Sequence, residues 1–148
     1  MSEEESKLFS LKEAEHLRIQ LEPILIEAME SRRKMAALDE QLGALGERIQ
    51  RSGGMQVSYA EAAKLRIERN QVESAVGSAL ERIHSTGCLV KDLDVGLLDF
   101  PARINNEIVY LCWKLGEDRI RFYHRQDEGF AGRKPLNLGD ADFHGSIQ

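Results

Sequence analysis

His124, Asp127, Glu128 and Arg133 fall within ten residues of one another, in the run Tyr123-His-Arg-Gln-Asp-Glu-Gly-Phe-Ala-Gly-Arg133. A histidine titrates near neutral pH and can serve as a general base or a metal ligand. Carboxylates three and four positions further on could complete an acid–base pair or an oxygen-rich cation site. Glu117 and Asp92 are acidic groups that turns could return to the same end, so the candidate ligand or metal site comprises His124, Asp127, Glu128, Arg133, Glu117 and Asp92. Arg133 follows two glycines that free the backbone, and it could clamp a carboxylate or phosphate; equally, Phe130 could fold back as a plug over an apolar face. The plainer role for His124 is a partly buried histidine at a strand end, hydrogen-bonded to the loop that follows. The chain has no HExxH pair, no close CxxC and no phosphate-loop spacing, so no catalytic residue and no cofactor follow from spacing alone. A divalent metal is compatible with these groups but not favoured.

These residues need elements to position them, and the hydrophobic period supplies those. Ser10 followed by Leu-Lys-Glu13 has the form of a capping box and predicts a short helix that Pro23 ends or kinks. A longer helix is expected from about Glu22 to Gln50, with Ile24, Ala28, Met35, Leu38, Leu42, Leu45 and Ile49 on a three-four spacing that resembles a coiled-coil seam. Arg51 to Ser58 carries consecutive glycines and reads as the turn of a helical hairpin. The returning helix, Tyr59 to about Ser85, repeats the seam with Ala62, Leu65, Val72, Val76, Ala79 and Ile83, and Gly87 stops it.

Beyond Gly87 the period becomes alternating. Asn105-Asn106 suits a two-residue hairpin turn, because asparagine tolerates positive φ, and it pairs Ile104 with Glu107, Phe100 with Leu111 and Leu98 with Trp113. A second two-residue turn at Glu117-Asp118 would pair Leu115 with Ile120, Trp113 with Phe122 and Leu111 with His124. That register puts His124 on the apolar face and Asp99 on the other, in a row with Cys112 and Tyr123, where Asp99 would bond Tyr123 or pair with Lys114 or Arg121. Residues 88–94 are expected to add a strand of unassigned partner. The fold class is therefore α+β: a short helix, a long antiparallel helical hairpin and a small three- or four-stranded antiparallel meander. Residues 1–9 are expected to be flexible, 10–138 to form one domain divided into a hairpin part (10–87) and a β part (88–138), and 139–148 to be a disordered tail.

Composition narrows the partners. A net charge of -5 argues against a dedicated nucleic-acid binder, although Arg103, Lys114, Arg119, Arg121 and Arg125 beside Tyr110 and Tyr123 leave an RNA-associated role as a third reading. The acidic start MSEEESKLFS is unlike a secretory signal, and no apolar run approaches a membrane span. A cytoplasmic location is expected, with Cys88 and Cys112 as buried, reduced thiols.

The segments VKDLD, GLLDFPAR, YLCWKLGE and EGFAGR, with looser agreement in FSLKEAEHL and the hairpin, resemble a family of short bacterial and archaeal proteins, domain-of-unknown-function family 2203, over nearly the whole chain. The resemblance implies no activity, substrate or catalytic residue. The leading functional expectation is an interaction or assembly module that forms homo-oligomers through the hairpin, whose seam is longer than one small sheet can cover, with a protein partner as a further option. The alternative is a small enzyme or metal-binding protein using the residues around His124.

Overall fold

The capping box at Ser10 forms as expected: Glu13 N–H donates to Ser10 Oγ at 3.0 Å, and Ser10 N–H donates to the Glu13 carboxylate at 3.0 Å. It opens helix α1 (Leu11–Ser52), which continues unbroken through Pro23 in the computed structural model, correcting the expectation of two helices. Proline removes one backbone hydrogen bond at a cost of about 3 kcal/mol. Leu21 and Leu25 flank it with their side chains buried. Burying a leucine contributes roughly 1.5–3 kcal/mol, so the two together outweigh the proline. The structure describes residues 7–53 and 56–136; the expectations for residues 1–6 and for the tail from 139 fall outside that range. Helix α2 (Gln56–His84) begins two residues before the Ser58 at which the sequence pattern places its cap.

The chain divides into two units, Met1–Ile26 with Glu81–Gln148, and Glu27–Leu80. Within the second, Leu38 and Leu45 of α1 are buried together with Ala62, Val72 and Val76 of α2, as the seam predicts. Ion pairs Arg69–Asp39, Lys34–Glu68 and Arg48–Glu61 cross between the two helices at 2.9, 3.8 and 3.7 Å. None of the helices among the described residues is long and apolar enough to cross a membrane.

In the first unit, α2 ends at His84 and the turn after it closes on Gly87, whose φ of +97° is open to glycine and costly for other residues. Strands β1 (Leu89–Asp92), β2 (Leu97–Ile104), β3 (Glu107–Lys114), β4 (Phe122–Arg125) and β5 (Lys134–Pro135) follow, so the sheet has five strands rather than three or four. All pairs are antiparallel, in the order β1-β2-β3-β4-β5, and β1 finds its partner in β2. Asn105 and Asn106 take φ values of 54° and 63°, and the β2–β3 register is the expected one, with Ile104 opposite Glu107 and Leu98 opposite Trp113. Leu98, Phe100, Ala102, Val109, Leu111 and Trp113 are buried on one face. Phe9, just before α1, and Arg18 within it cover this face: Phe9 meets Phe100 edge-on at 5.6 Å, and Arg18 lies 5.4 Å from the Trp113 ring.

The β3–β4 register differs from expectation by one residue. Tyr110, not Leu111, stands opposite His124, and Cys112 stands opposite Phe122. The two-residue turn does not form because its groups have other partners. Ile120 N–H donates to Glu15 of α1 at 2.6 Å rather than to Leu115, Arg18 bonds the Asp118 carbonyl at 3.2 Å, and Trp113 Nε1–H donates to the Glu117 carbonyl at 3.0 Å. The connection is thereby longer by an odd count, and a slip of one residue turns every β4 side chain to the opposite face.

Candidate metal centre

The slip brings His124 to the face that carries Asp99. His124 Nε2 and Asp99 Oδ2 are 3.0 Å apart, correcting the placement of these two residues on opposite sides of the sheet. Cys112 joins them: one donor atom from each of Asp99, Cys112 and His124 lies within 4.8 Å of the others. The three are 0%, 1% and 2% exposed, the most enclosed set of potential ligands among the described residues.

Hydrogen bonding fixes the protons of this cluster. His124 Nδ1 faces the Arg125 carbonyl at 2.9 Å, and a carbonyl only accepts, so Nδ1 carries a hydrogen. The facing Nε2 and Oδ2 then share one further proton, as imidazolium with carboxylate or as imidazole with carboxylic acid, and the pair is electrically neutral in either form. Burial raises the Asp99 carboxyl above its usual range, opposed by the facing His124, by Lys91 and by a hydrogen bond from the Cys112 thiol, a weak donor. Asp99 Oδ1 is buried and has no hydrogen-bond partner. An acceptor left alone in an apolar interior costs about 1–3 kcal/mol, which marks the position as one where a further group belongs.

Cys112 is held as a thiol. Burial, followed by the charge of Asp99, pushes its pKa up to about 11, against a smaller opposing effect of Arg133, whose Nη1–H donates to the sulfur at 3.8 Å. Cys88 is buried and free, and burial pushes it up also. A nucleophilic cysteine needs a lowered pKa, and burial holds Cys112 in the opposite direction. The geometry instead suits metal ligation. Nδ1–H on a carbonyl is the arrangement that presents Nε2 to a metal, Asp99 supplies an oxygen, and Cys112 supplies a sulfur with a cationic donor behind it.

The other residues singled out by sequence do not join this cluster. Glu117 pairs with Arg133 in a very short contact and also accepts Lys114 N–H at 2.9 Å. Arg133 is not free to clamp a ligand: its guanidinium lies 4.0 Å from the Phe122 ring centroid and 4.3 Å from that of Phe130. Phe130 is exposed and stacks on Arg133 rather than plugging the apolar face. Glu128 accepts from Lys134 Nζ at 2.8 Å and from Arg125 N–H at 2.9 Å, closing the turn after β4. Asp127 is exposed on that turn. Asp92 accepts Asp94 N–H at 2.9 Å and Val95 N–H at 3.3 Å, shaping the β1–β2 turn. His84 Nε2 accepts Val90 N–H at 3.2 Å. Of the basic outer-face set, Arg121 pairs with Asp118 and Arg125 with Glu107. Asp99 and Cys112 are the members of this cluster that the sequence pattern places on the face away from His124. The available signal is Asp99 itself, a carboxylate within Leu97-Leu98-Asp99-Phe100, where all four residues are buried.

A family model described as uncharacterized conserved protein (DUF2203) matches residues 7–136. No curated protein and no solved structure matches the chain.

Proposed function

The chain belongs to the DUF2203 family, and from this starting point we propose that it is a divalent-metal-binding protein whose ligands are Asp99, Cys112 and His124. The observation that carries this reading is the unpartnered Asp99 Oδ1 beside a buried sulfur and a ring nitrogen. A mixed nitrogen, oxygen and sulfur set favours zinc or a similar borderline ion. Tetrahedral bonds of about 2.0–2.3 Å imply donor separations of roughly 3.3–3.8 Å, which small side-chain rotations can reach from the present arrangement. Charge also balances. The Asp99 carboxylate and a Cys112 thiolate neutralise a divalent ion, while Arg133 is already compensated by Glu117.

Cobalt(II) titration tests the proposal, since a cysteine ligand produces a thiolate-to-cobalt charge-transfer band. One equivalent should bind, and the band should vanish in Cys112→Ser. Absence of stoichiometric cobalt or zinc in the wild-type protein, or an unchanged spectrum in Cys112→Ser, would sink the reading.

A second reading, self-association of the hairpin as a coiled coil in a cytoplasmic homo-oligomer, is favoured by a separate observation. Ile67 is 61% exposed on α2, and Met35, Leu42, Ile49 and Leu65 are only half-buried within the two-helix unit. Sedimentation equilibrium is its test: Leu42→Glu should weaken association, and a strict monomer at micromolar concentration would end it.

A further inference from the structure

A cavity of about 430 Å³ opens between the segment entering α1, the end of α2 and strands β1, β2 and β3. Leu89, Pro101 and Tyr110 supply apolar wall, and the other polar or charged lining includes Lys7, His84 and Arg103. In a chain of net charge -5, none of the lining residues is acidic. Arg103 is exposed and makes no ion pair among the described residues. Its nearest acidic neighbour around the hairpin turn, Glu107, is held by Arg125 at 3.2 Å. His84 uses Nε2 as an acceptor for Val90 N–H, so a neutral His84 carries its hydrogen on Nδ1 and is a donor. The Tyr110 ring is held in place by two neighbours, the His124 ring at 5.5 Å and Lys91 Nζ at 5.9 Å from its centroid.

Cationic donors over a rigid aromatic wall define a ligand by chemistry. Arg103 has no carboxylate of its own, Lys7 feels only the exposed Glu13 nearby, and the apolar wall requires a flat body rather than a bare ion. From this geometry we infer that the cavity binds a small aromatic anion, with its carboxylate or phosphate at Arg103 and Lys7 and its ring against Tyr110 and Pro101. No proposed metal ligand lines the cavity, although the His124 ring lies against its Tyr110 wall.

The test is an NMR titration of the full chain with phenyl phosphate, benzoate and phenol. Both anions, or whichever head group the site selects, should shift the Tyr110 and Arg103 amides saturably, and phenol should bind at least about tenfold more weakly. Arg103→Glu and Lys7→Glu each reverse an exposed or rim charge, and each should weaken anion binding at least about tenfold with an unchanged thermal midpoint. Cys112→Ser should bind as the wild type does, which separates failure of this site from failure of the metal centre. Equal affinity for phenol, undiminished binding in Arg103→Glu, or no saturable shift with either anion at millimolar concentration would overturn the assignment.

Discussion

Two charged pairs meet at Cys112, and they differ in how completely they are satisfied. Glu117 and Arg133 retain 21% and 14% side-chain exposure, and their polar atoms are well supplied: a carboxylate facing a guanidinium, a backbone N–H on Glu117, and two aromatic rings against Arg133. Asp99 and His124 are almost fully buried, and one carboxylate oxygen has no nitrogen or oxygen donor, only the weak Cys112 thiol being near the pair. A saturated pair in contact with water ties a loop to a strand. In a buried pair an acceptor without a strong donor is a cost that the proposed metal would offset.

The sharpest way to break this contrast is to remove one partner from each pair. In metal-free protein, His124→Ala leaves the Asp99 carboxyl alone in an apolar interior, and urea unfolding should show a loss of about 3–5 kcal/mol. Replacing both, as Asp99→Leu with His124→Leu, should recover most of that loss, because the desolvation of both groups disappears together. A loss below 1 kcal/mol in His124→Ala would show that the buried pair matters no more than a surface one.

Metal affinity sharpens the contrast next. Asp99→Asn and Cys112→Ser remove ligands and should weaken zinc binding by at least about a hundredfold. Arg133→Ala removes no ligand; it takes away the donor to the sulfur together with the Glu117 pair and the contacts to Phe122 and Phe130, and should cost about tenfold. Competition with a chromophoric chelator measures both. Equal losses in Cys112→Ser and Arg133→Ala would erase the distinction between ligand and support.

How much of this was legible depends on whether the determinant is local. The β2–β3 register follows from Asn105-Asn106 and the alternation on either side, and all of that lies within one hairpin. The β3–β4 register does not. It depends on Ile120 N–H finding Glu15, more than a hundred residues away, which no local pattern reports. An error of one residue separates His124 from Asp99 and Cys112, whereas Asp127 and Glu128 are near His124 only in sequence. Pro23 teaches the same lesson for helices: its local cost is real, but Leu21 and Leu25 bury enough to carry α1 through it. The hairpin seam was readable because a helical period over many residues is a strong signal.

The pH dependence of metal binding is a smaller effect with a defined sign. The Cys112 thiol, pushed up to about 11, is protonated in metal-free protein across the neutral range. Binding must displace that proton, so affinity should rise with pH by about tenfold per unit for each proton released. Calorimetry in buffers of different ionisation enthalpy counts the protons. Zinc affinity that stays flat between pH 6 and 8 would exclude the thiolate as a ligand.

The smallest effect belongs to the satisfied pair. Glu117→Gln keeps an oxygen for the Lys114 N–H but removes the charge opposite Arg133, and Arg133 still rests on Phe122 and Phe130. Because both side chains reach solvent, the freed guanidinium can hydrate instead of remaining stranded. The loss should therefore be about 1 kcal/mol, a few degrees in thermal midpoint for a chain of this size. Raising the salt concentration should shrink the difference between Glu117→Gln and wild type, since a partly exposed pair is screened, while the cost of His124→Ala should be nearly insensitive to salt. A Glu117→Gln penalty as large as that of His124→Ala, and equally indifferent to salt, would mean that the two pairs form one buried network meeting at Cys112 rather than a ligand site beside a surface tie.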